Sequence, residues 1–262
     1  MADLMKGKRG LVMGVANDHS IAWGVARKLA AEGAELAFTY QGEAFGRRVK
    51  PLAESVGAEI LLDADVTDEA SLDAAFDRLS KDWGALDFVV HAIAYSDKAE
   101  LSGRYADTTR ANFQRSMDIS CYSLVDVARR AAPLMKAGGS IVTMTYLGAQ
   151  RVMPNYNVMG VAKAALEASV RYLANDLGPE GIRVNAVSPG PMRTLAGSAI
   201  GGARRVYKQT EENAPLRRNA SLDEVGGAAL YLLSDLGAGT TGDVIFVDGG
   251  YHITGMAQPA NI

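Results

Sequence analysis

The chain holds a single cysteine, Cys121, among 262 residues. That excludes an intrachain disulfide framework and a cysteine-based zinc site. Histidine is almost as scarce. His19, His91 and His252 are scattered without metal-ligand spacing, so each reads as a packing or surface residue and no metal enzyme is expected. No window of about 18 apolar residues free of charge occurs, which removes a transmembrane helix. Residues 1–9 lack the apolar stretch of a secretory signal, so the expected compartment is the cytoplasm. Neither sign of charge dominates: 27 Lys+Arg against 30 Asp+Glu leaves a net charge of −3, unlike a nucleic-acid binder. With 48% hydrophobic residues, disorder is excluded as well. What remains is a soluble globular chain large enough for a sizeable core.

Short apolar runs alternate with longer amphipathic ones. The run Gly10–Gly14 precedes a stretch from Ser20 to Glu32 in which Ile21, Val25 and Leu29 recur every four residues, with Gly33 where a helix stop belongs. Further strands are expected at Glu35–Tyr40, Glu59–Leu62, Leu86–His91, Ser140–Thr145, Ile182–Val187 and Val244–Val247, which makes seven. Continuous apolar runs such as Phe88-Val89-Val90 suit strands buried on both faces. The expected fold is therefore α/β: a doubly wound, seven-stranded parallel sheet with helices on both faces. No repeat, linker or composition break divides the chain, so 1–262 is expected to be one domain.

In such folds ligands bind beyond the carboxyl ends of the strands, and the first strand-to-helix turn commonly carries a phosphate. That turn, residues 14–24, does not match the three-glycine fingerprint. Gly14 follows the strand, Ser20 stands where a later glycine is common, Ile21 opens the helix and Gly24 lies one turn in. Ser20 either caps the helix or hydrogen-bonds a pyrophosphate, and the loop alone leaves both open. After the second strand Gln41 replaces the customary ribose-binding carboxylate. Its neutral amide does not exclude a phosphorylated cofactor, and Arg47-Arg48 could pair with a 2′-phosphate or form a solvated face. The reading favours NADH over NADPH. After the third strand, Asp65 could accept from an adenine amino group with Val66 over the ring, and a plain turn explains both residues equally well.

The most informative stretch runs from Thr143-Met144-Thr145-Tyr146-Leu147-Gly148-Ala149-Gln150 to Asn155-Tyr156-Asn157-Val158-Met159-Gly160-Val161-Ala162-Lys163. Tyr156 precedes Lys163 by seven residues, almost two helical turns. The two share a helix face about 10 Å apart, too far to be partners but within the span of one cofactor. Together with Asn185–Gly190 and Gly242–Gly250, this arrangement resembles the short-chain dehydrogenase/reductase superfamily over essentially the whole chain. Ordinary members place the tyrosine four positions before the lysine, where this chain has Met159. The displaced tyrosine resembles one divergent branch, the bacterial enoyl-acyl-carrier-protein reductases of type II fatty acid synthesis. Tyr146 followed by Leu-Gly-Ala, His91-Ala92-Ile93-Ala94 after the fourth strand, Ser120 in place of a helix asparagine and the segment Pro191–Ala196 agree with it. Ala94 departs from the branch, which commonly has glycine there.

The resemblance implies hydride delivery to the β-carbon of a trans-2-enoyl thioester, with Tyr156 donating a hydrogen bond to the thioester oxygen. It implies that Lys163 binds the nicotinamide ribose, and that Tyr146 lines the acyl pocket. Cofactor contacts from Ala92, Ile93, Met192 and Thr194 and substrate contacts from Ser96 and Ile200 follow in the same way. A substrate lid is expected around 194–210, where Ile200 and Val206 could close over an acyl chain. Arg204, Arg205 and Lys208 could there meet an acidic carrier protein, or form a solvated helix face. A homotetramer is implied, with the long helices flanking the central strands as interfaces. Two rivals stand beside this reading: a 3-ketoacyl or other carbonyl reductase of the same superfamily, against which Met159 argues, and a non-catalytic nicotinamide-binding sensor.

Overall fold

The computed structural model describes residues 3–195 and 201–261. Seven strands form one parallel sheet in the order β3-β2-β1-β4-β5-β6-β7. They are β1 (Arg9–Met13), β2 (Glu35–Tyr40), β3 (Ile60–Asp63), β4 (Phe88–His91), β5 (Gly139–Met144), β6 (Ile182–Pro189) and β7 (Val244–Val247). The expected seven-stranded, doubly wound α/β architecture is realised, with strand ends displaced by up to two residues. Gly14, for instance, leaves β1 because its φ of +97° is incompatible with the pleat.

The helices are α1 (Ile21–Ala31), α2 (Gly42–Ser55), α3 (Glu69–Asp82), α4 (Arg110–Met117), α5 (Ser123–Ala131), α6 (Asn157–Leu177), α7 (Ala203–Asn213) and α8 (Leu222–Leu233). α1 stops as its sequence predicts. Gly33 takes φ +91°, its N–H donates to Ala30 and that of Ala34 to Leu29, so the last carbonyls are satisfied by a left-handed C-terminal turn.

Alternation along each strand splits the core into two layers. Leu11, Val89 and Ile141 face α3, α5 and α6, packing with Leu72, Leu124, Leu166 and Val170. Val12, Phe38, Phe88 and Val90 face the other side, against Val25, Leu29, Val49 and Val225 of α1, α2 and α8. Period-two alternation with both faces apolar is why these strands read as continuous hydrophobic runs.

The parallel arrangement has a consequence for chemistry. Every strand ends at the same edge, so Gly14, Gln41, Ala92, Thr145 and Gly190, which follow five different strands, are gathered along one rim. The strand order reverses between β1 and β4, and the crevice of a doubly wound sheet opens at that reversal.

Candidate active site

The rim begins at the β1–α1 loop. Ser20 is buried, and its Oγ accepts from the Ala16 and Asn17 amides at 3.0 and 3.1 Å. It makes no side-chain cap to α1, so the capping alternative is not realised: the hydroxyl shapes the loop instead. The first-turn amides of α1 are left without a side-chain acceptor, an arrangement suited to an anion. Gly14 is confined by more than its φ. A Cβ there would run into the Ala92 carbonyl, so the glycine lets the β1 and β4 ends approach.

Gln41 and Asp65 are brought together from the ends of β2 and β3, with Gln41 Nε2 donating to Asp65 Oδ2 at 2.7 Å. Burial alone would raise the Asp65 pKa, but hydrogen bonds from the Thr67 amide and hydroxyl and from Gln41 outweigh it and hold the carboxyl below its ordinary value. The Asp65 to Thr67 bonds make the expected turn. Val66 packs on the core edge. Arg47 pairs with Glu43 across one helical turn at 3.8 Å, as a solvated face does.

At the other side of the crevice Tyr156 stands immediately before α6 and is 7% exposed. Its ring packs with Leu101 and Met159 and meets Tyr146 edge to face, centroids 5.0 Å apart. Among the described residues neither tyrosine hydroxyl donates to or accepts from a protein group. Burial pushes the Tyr156 phenol well above the ordinary tyrosine value, and the neighbouring Tyr146 adds to this. Burial, with Tyr251 and Asp248 nearby, pushes Tyr146 up to about 12. Both phenols are therefore neutral hydrogen-bond donors at neutral pH and poor bases.

Lys163, two turns into α6, is 5% exposed and donates to the Met144 carbonyl at 2.7 Å. An ammonium has three donors, so two remain for a ligand. Burial lowers its pKa to about 8, opposed by Cys121 and Glu167. His91, at the end of β4, is wholly buried between Thr143 Oγ1 (3.0 Å) and Ser123 Oγ (2.9 Å). Burial and the Lys163 charge hold it down at about 3, hence neutral.

Met159 occupies the position of the ordinary superfamily tyrosine and accepts from Ser120 Oγ at 3.7 Å. Ser120 also bonds both the amide and carbonyl of Tyr95 from a wide π-type turn, Asp118–Tyr122. Such turns recur at functional sites. Ser96 is tied to Asn112 and Ser116 of α4. Ala92, Ile93, Met192 and Thr194 lie on the segments that continue β4 and β6 past the rim. Ile200 lies outside the described residues. Within the expected lid, Arg204 and Arg205 are exposed on α7, and Lys208 pairs with Glu212 at 3.4 Å.

Four contributors escaped the sequence reading as site residues. Gly148 leaves space for the Tyr156 ring, which a Cβ would enter. Asn155 and Asn157 flank Tyr156 with φ of +59° and +40°, a region where asparagine is enriched. Glu167 is a buried carboxylate. Its signal was available: an acidic residue on the buried face of α6, one turn past Lys163.

A doubly wound sheet whose reversal crevice is flanked by a free buried phenol and a buried lysine defines a dinucleotide-dependent oxidoreductase site. The model of the enoyl-(acyl carrier protein) reductase family matches residues 14–252. The chain is 63% identical to enoyl-[acyl-carrier-protein] reductase [NADH] 2 of Rhizobium meliloti, over 98% of this chain and 96% of that protein. It superimposes on the enoyl-acyl-carrier-protein reductase of Anaplasma phagocytophilum in complex with NAD with a TM-score of 0.95 at 58% identity, covering 97% of each chain. For FabI of Candidatus Liberibacter asiaticus the TM-score is 0.97 at 52% identity, covering 98% of this chain and 100% of that one. The chain belongs to the enoyl-acyl-carrier-protein reductase family.

Proposed function

We infer that the chain reduces trans-2-enoyl thioesters carried by acyl carrier protein, in type II fatty acid synthesis, using NADH. The observation that carries this reading is Tyr156, a buried residue whose hydroxyl has no protein partner among the described residues, with Met159 in the ordinary tyrosine position and Lys163 two turns into the helix that begins just after it. The residues along the rim fit a dinucleotide. The uncapped α1 amides suit its pyrophosphate, and Gln41 Oε1 and the two free Lys163 donors suit ribose hydroxyls. Arg47 is paired with Glu43 rather than left free for a 2′-phosphate, which supports NADH over NADPH. Asp65 and Val66 are assigned to the adenine, and Gly14, Ser20 and Ile21 to the phosphate turn. Ala92, Ile93, Met192 and Thr194 are assigned to the nicotinamide end.

When bound, the reduced nicotinamide supplies the hydride for the β-carbon. Negative charge then develops on the thioester oxygen. Tyr156 donates its hydroxyl hydrogen bond there, an interaction that strengthens as the charge appears and so lowers the barrier. With its pKa raised by burial, the phenol stays protonated as the donor. The Lys163 ammonium adds a favourable field to the oxyanion while orienting the ribose. Tyr146 and Ser96 are assigned to the acyl pocket, and Ile200 belongs to this proposal from sequence alone.

We assign the chain as one domain with a substrate lid around 194–210. Arg204, Arg205 and Lys208 are its contacts for an acidic carrier protein. A homotetramer is proposed through α4, α5 and α6, supported by exposed Phe113, Tyr122 and Tyr172 on and between those helices. No described helix is long and apolar enough to cross a membrane, in keeping with a cytoplasmic placement. The test is a substrate panel followed by loss of NADH absorbance. Oxidation with a crotonyl or longer enoyl thioester supports the reading. Oxidation only with a 3-ketoacyl substrate, or NADH binding without turnover, replaces it with the carbonyl reductase or the sensor.

A further inference from the structure

Glu167 is 5% exposed, and a carboxylate is almost never buried unless it is both hydrogen-bonded and offset by charge. Its Oε1 accepts from Thr145 Oγ1 at 2.8 Å and its Oε2 from Gln150 Nε2 at 3.0 Å. Those two donors bracket the segment Tyr146-Leu147-Gly148-Ala149, which turns in a single 3-10 coil between them. Neither donor is charged. The opposite charge is supplied by Lys163, four residues earlier on the same helix and equally buried. Lys163 grips the Met144 carbonyl and Glu167 the hydroxyl of the next residue, so successive turns of α6 hold successive residues at the end of β5.

We propose that Glu167 is a positioning residue of this site: it clamps both ends of the segment that carries Tyr146 and provides the standing counter-charge to the Lys163 ammonium. The proposal rests on the roles assigned to Tyr146 and Lys163 above.

The groups around Lys163 divide simply. Cys121 reaches it from the π-type turn, Glu167 from α6 and the Met144 carbonyl from β5, while His91 of β4 is neutral. Glu167→Gln removes the contribution of the carboxylate and Cys121→Ser that of the thiol. Burial alone draws the lysine down, and removing the carboxylate charge lets it fall further. Glu167→Gln keeps the shape and one acceptor oxygen, puts an amide donor in place of the other, and removes the charge. Glu167→Asp keeps the charge but shortens the reach. The first separates electrostatics from packing, and the second does the reverse.

The experiment measures NADH affinity against pH, and kcat and KM for an enoyl thioester, in the full chain and in a Cys121→Ser background that removes the thiol. In Glu167→Gln the alkaline loss of NADH affinity is expected to begin about 1 pH unit lower than in the parent, with kcat down about tenfold and KM little changed. In Glu167→Asp the alkaline limb returns to the parent position while kcat stays low. A Glu167→Gln limb and kcat coincident with the parent overturn the proposal. If that variant does not fold by circular dichroism, Thr145→Val decides: lowered kcat with an unmoved limb supports the clamp, and unchanged kcat overturns it. Failure of the parent to oxidise NADH with any enoyl thioester removes the functional reading instead. The NADH-affinity profile still tests the counter-charge in that case.

Discussion

Tyr146 and Tyr156 meet edge to face, with ring centroids 5.0 Å apart and planes inclined by 71°, and neither spends its hydroxyl on a protein partner among the described residues. The pair is held by ring packing alone, so its two phenols can be altered without dismantling the wall they form.

Tyr156→Phe retains the ring and deletes the donor. Its kcat for an enoyl thioester is expected to fall about 100-fold, the scale of losing one oxyanion donor. NADH affinity should stay within about twofold. Steady-state kinetics beside a fluorescence titration of NADH check both numbers, and unchanged turnover rejects the assigned role. Tyr146→Phe is expected to be milder.

Gly148→Ala places a methyl group where the Tyr156 ring lies. The ring must move, so turnover should drop sharply and stability by about 1–3 kcal/mol. Gly160→Ala, whose Cβ would sit 2.9 Å from the Gly148 carbonyl, presses on the same turn from the helix side. Thermal unfolding and kcat measured together reveal whether the strain reaches the site.

Lys163→Ala removes the two donors left over after Met144 and should weaken NADH binding more than it changes the fold. In the unaltered chain the lysine loses its proton near pH 8, so NADH affinity should decline as pH rises through that value. A flat profile across that range contradicts the ribose-binding role.

His91 is expected to contribute to a loss of stability in acid. It is neutral in the folded state down to about pH 3, whereas the unfolded side chain binds a proton below about 6.5. Between those values the unfolded state carries more protons. Stability therefore rises with pH and is lost as pH falls from about 6.5 toward 3, by up to about 1.4 kcal/mol per pH unit from this group. Denaturant midpoints measured across that window should flatten in His91→Gln.

Charge reversal at Arg204 and Arg205, both exposed on α7, should raise KM for carrier-bound substrate about tenfold and leave KM for a small thioester unchanged. Equal effects on both substrates return these arginines to an ordinary solvated face.

Much of the fold is legible in the sequence. Strand and helix periods alternate along the chain, and buried runs such as Phe88–Val90 announce a sheet covered on both faces. Within the site, Lys163 was readable as a helical residue, but the single helix face expected to hold it with Tyr156 is not formed: Tyr156 stands just before α6, and Asn157 between them takes φ +40°. The role of Ser20 was not readable. Capping and phosphate binding demand the same residue type at the same place, and only the hydroxyl's direction, toward Ala16 and Asn17, shows that the cap is not made. Gly148 was visible as a motif letter, but the ring it accommodates comes from another segment.

By itself the order of residues determined a parallel sheet, the edge at which ligands bind and the helix that carries the amine and begins at the phenol, because these depend on local periodicity and on the handedness of strand connections. The tertiary structure alone decided which groups meet: Gln41 with Asp65, Tyr146 with Tyr156, and Thr145 and Gln150 with Glu167. Those meetings depend on which strand ends adjoin and how deeply each side chain is withdrawn from water. Neither quantity is written in the spacing of residues along the chain.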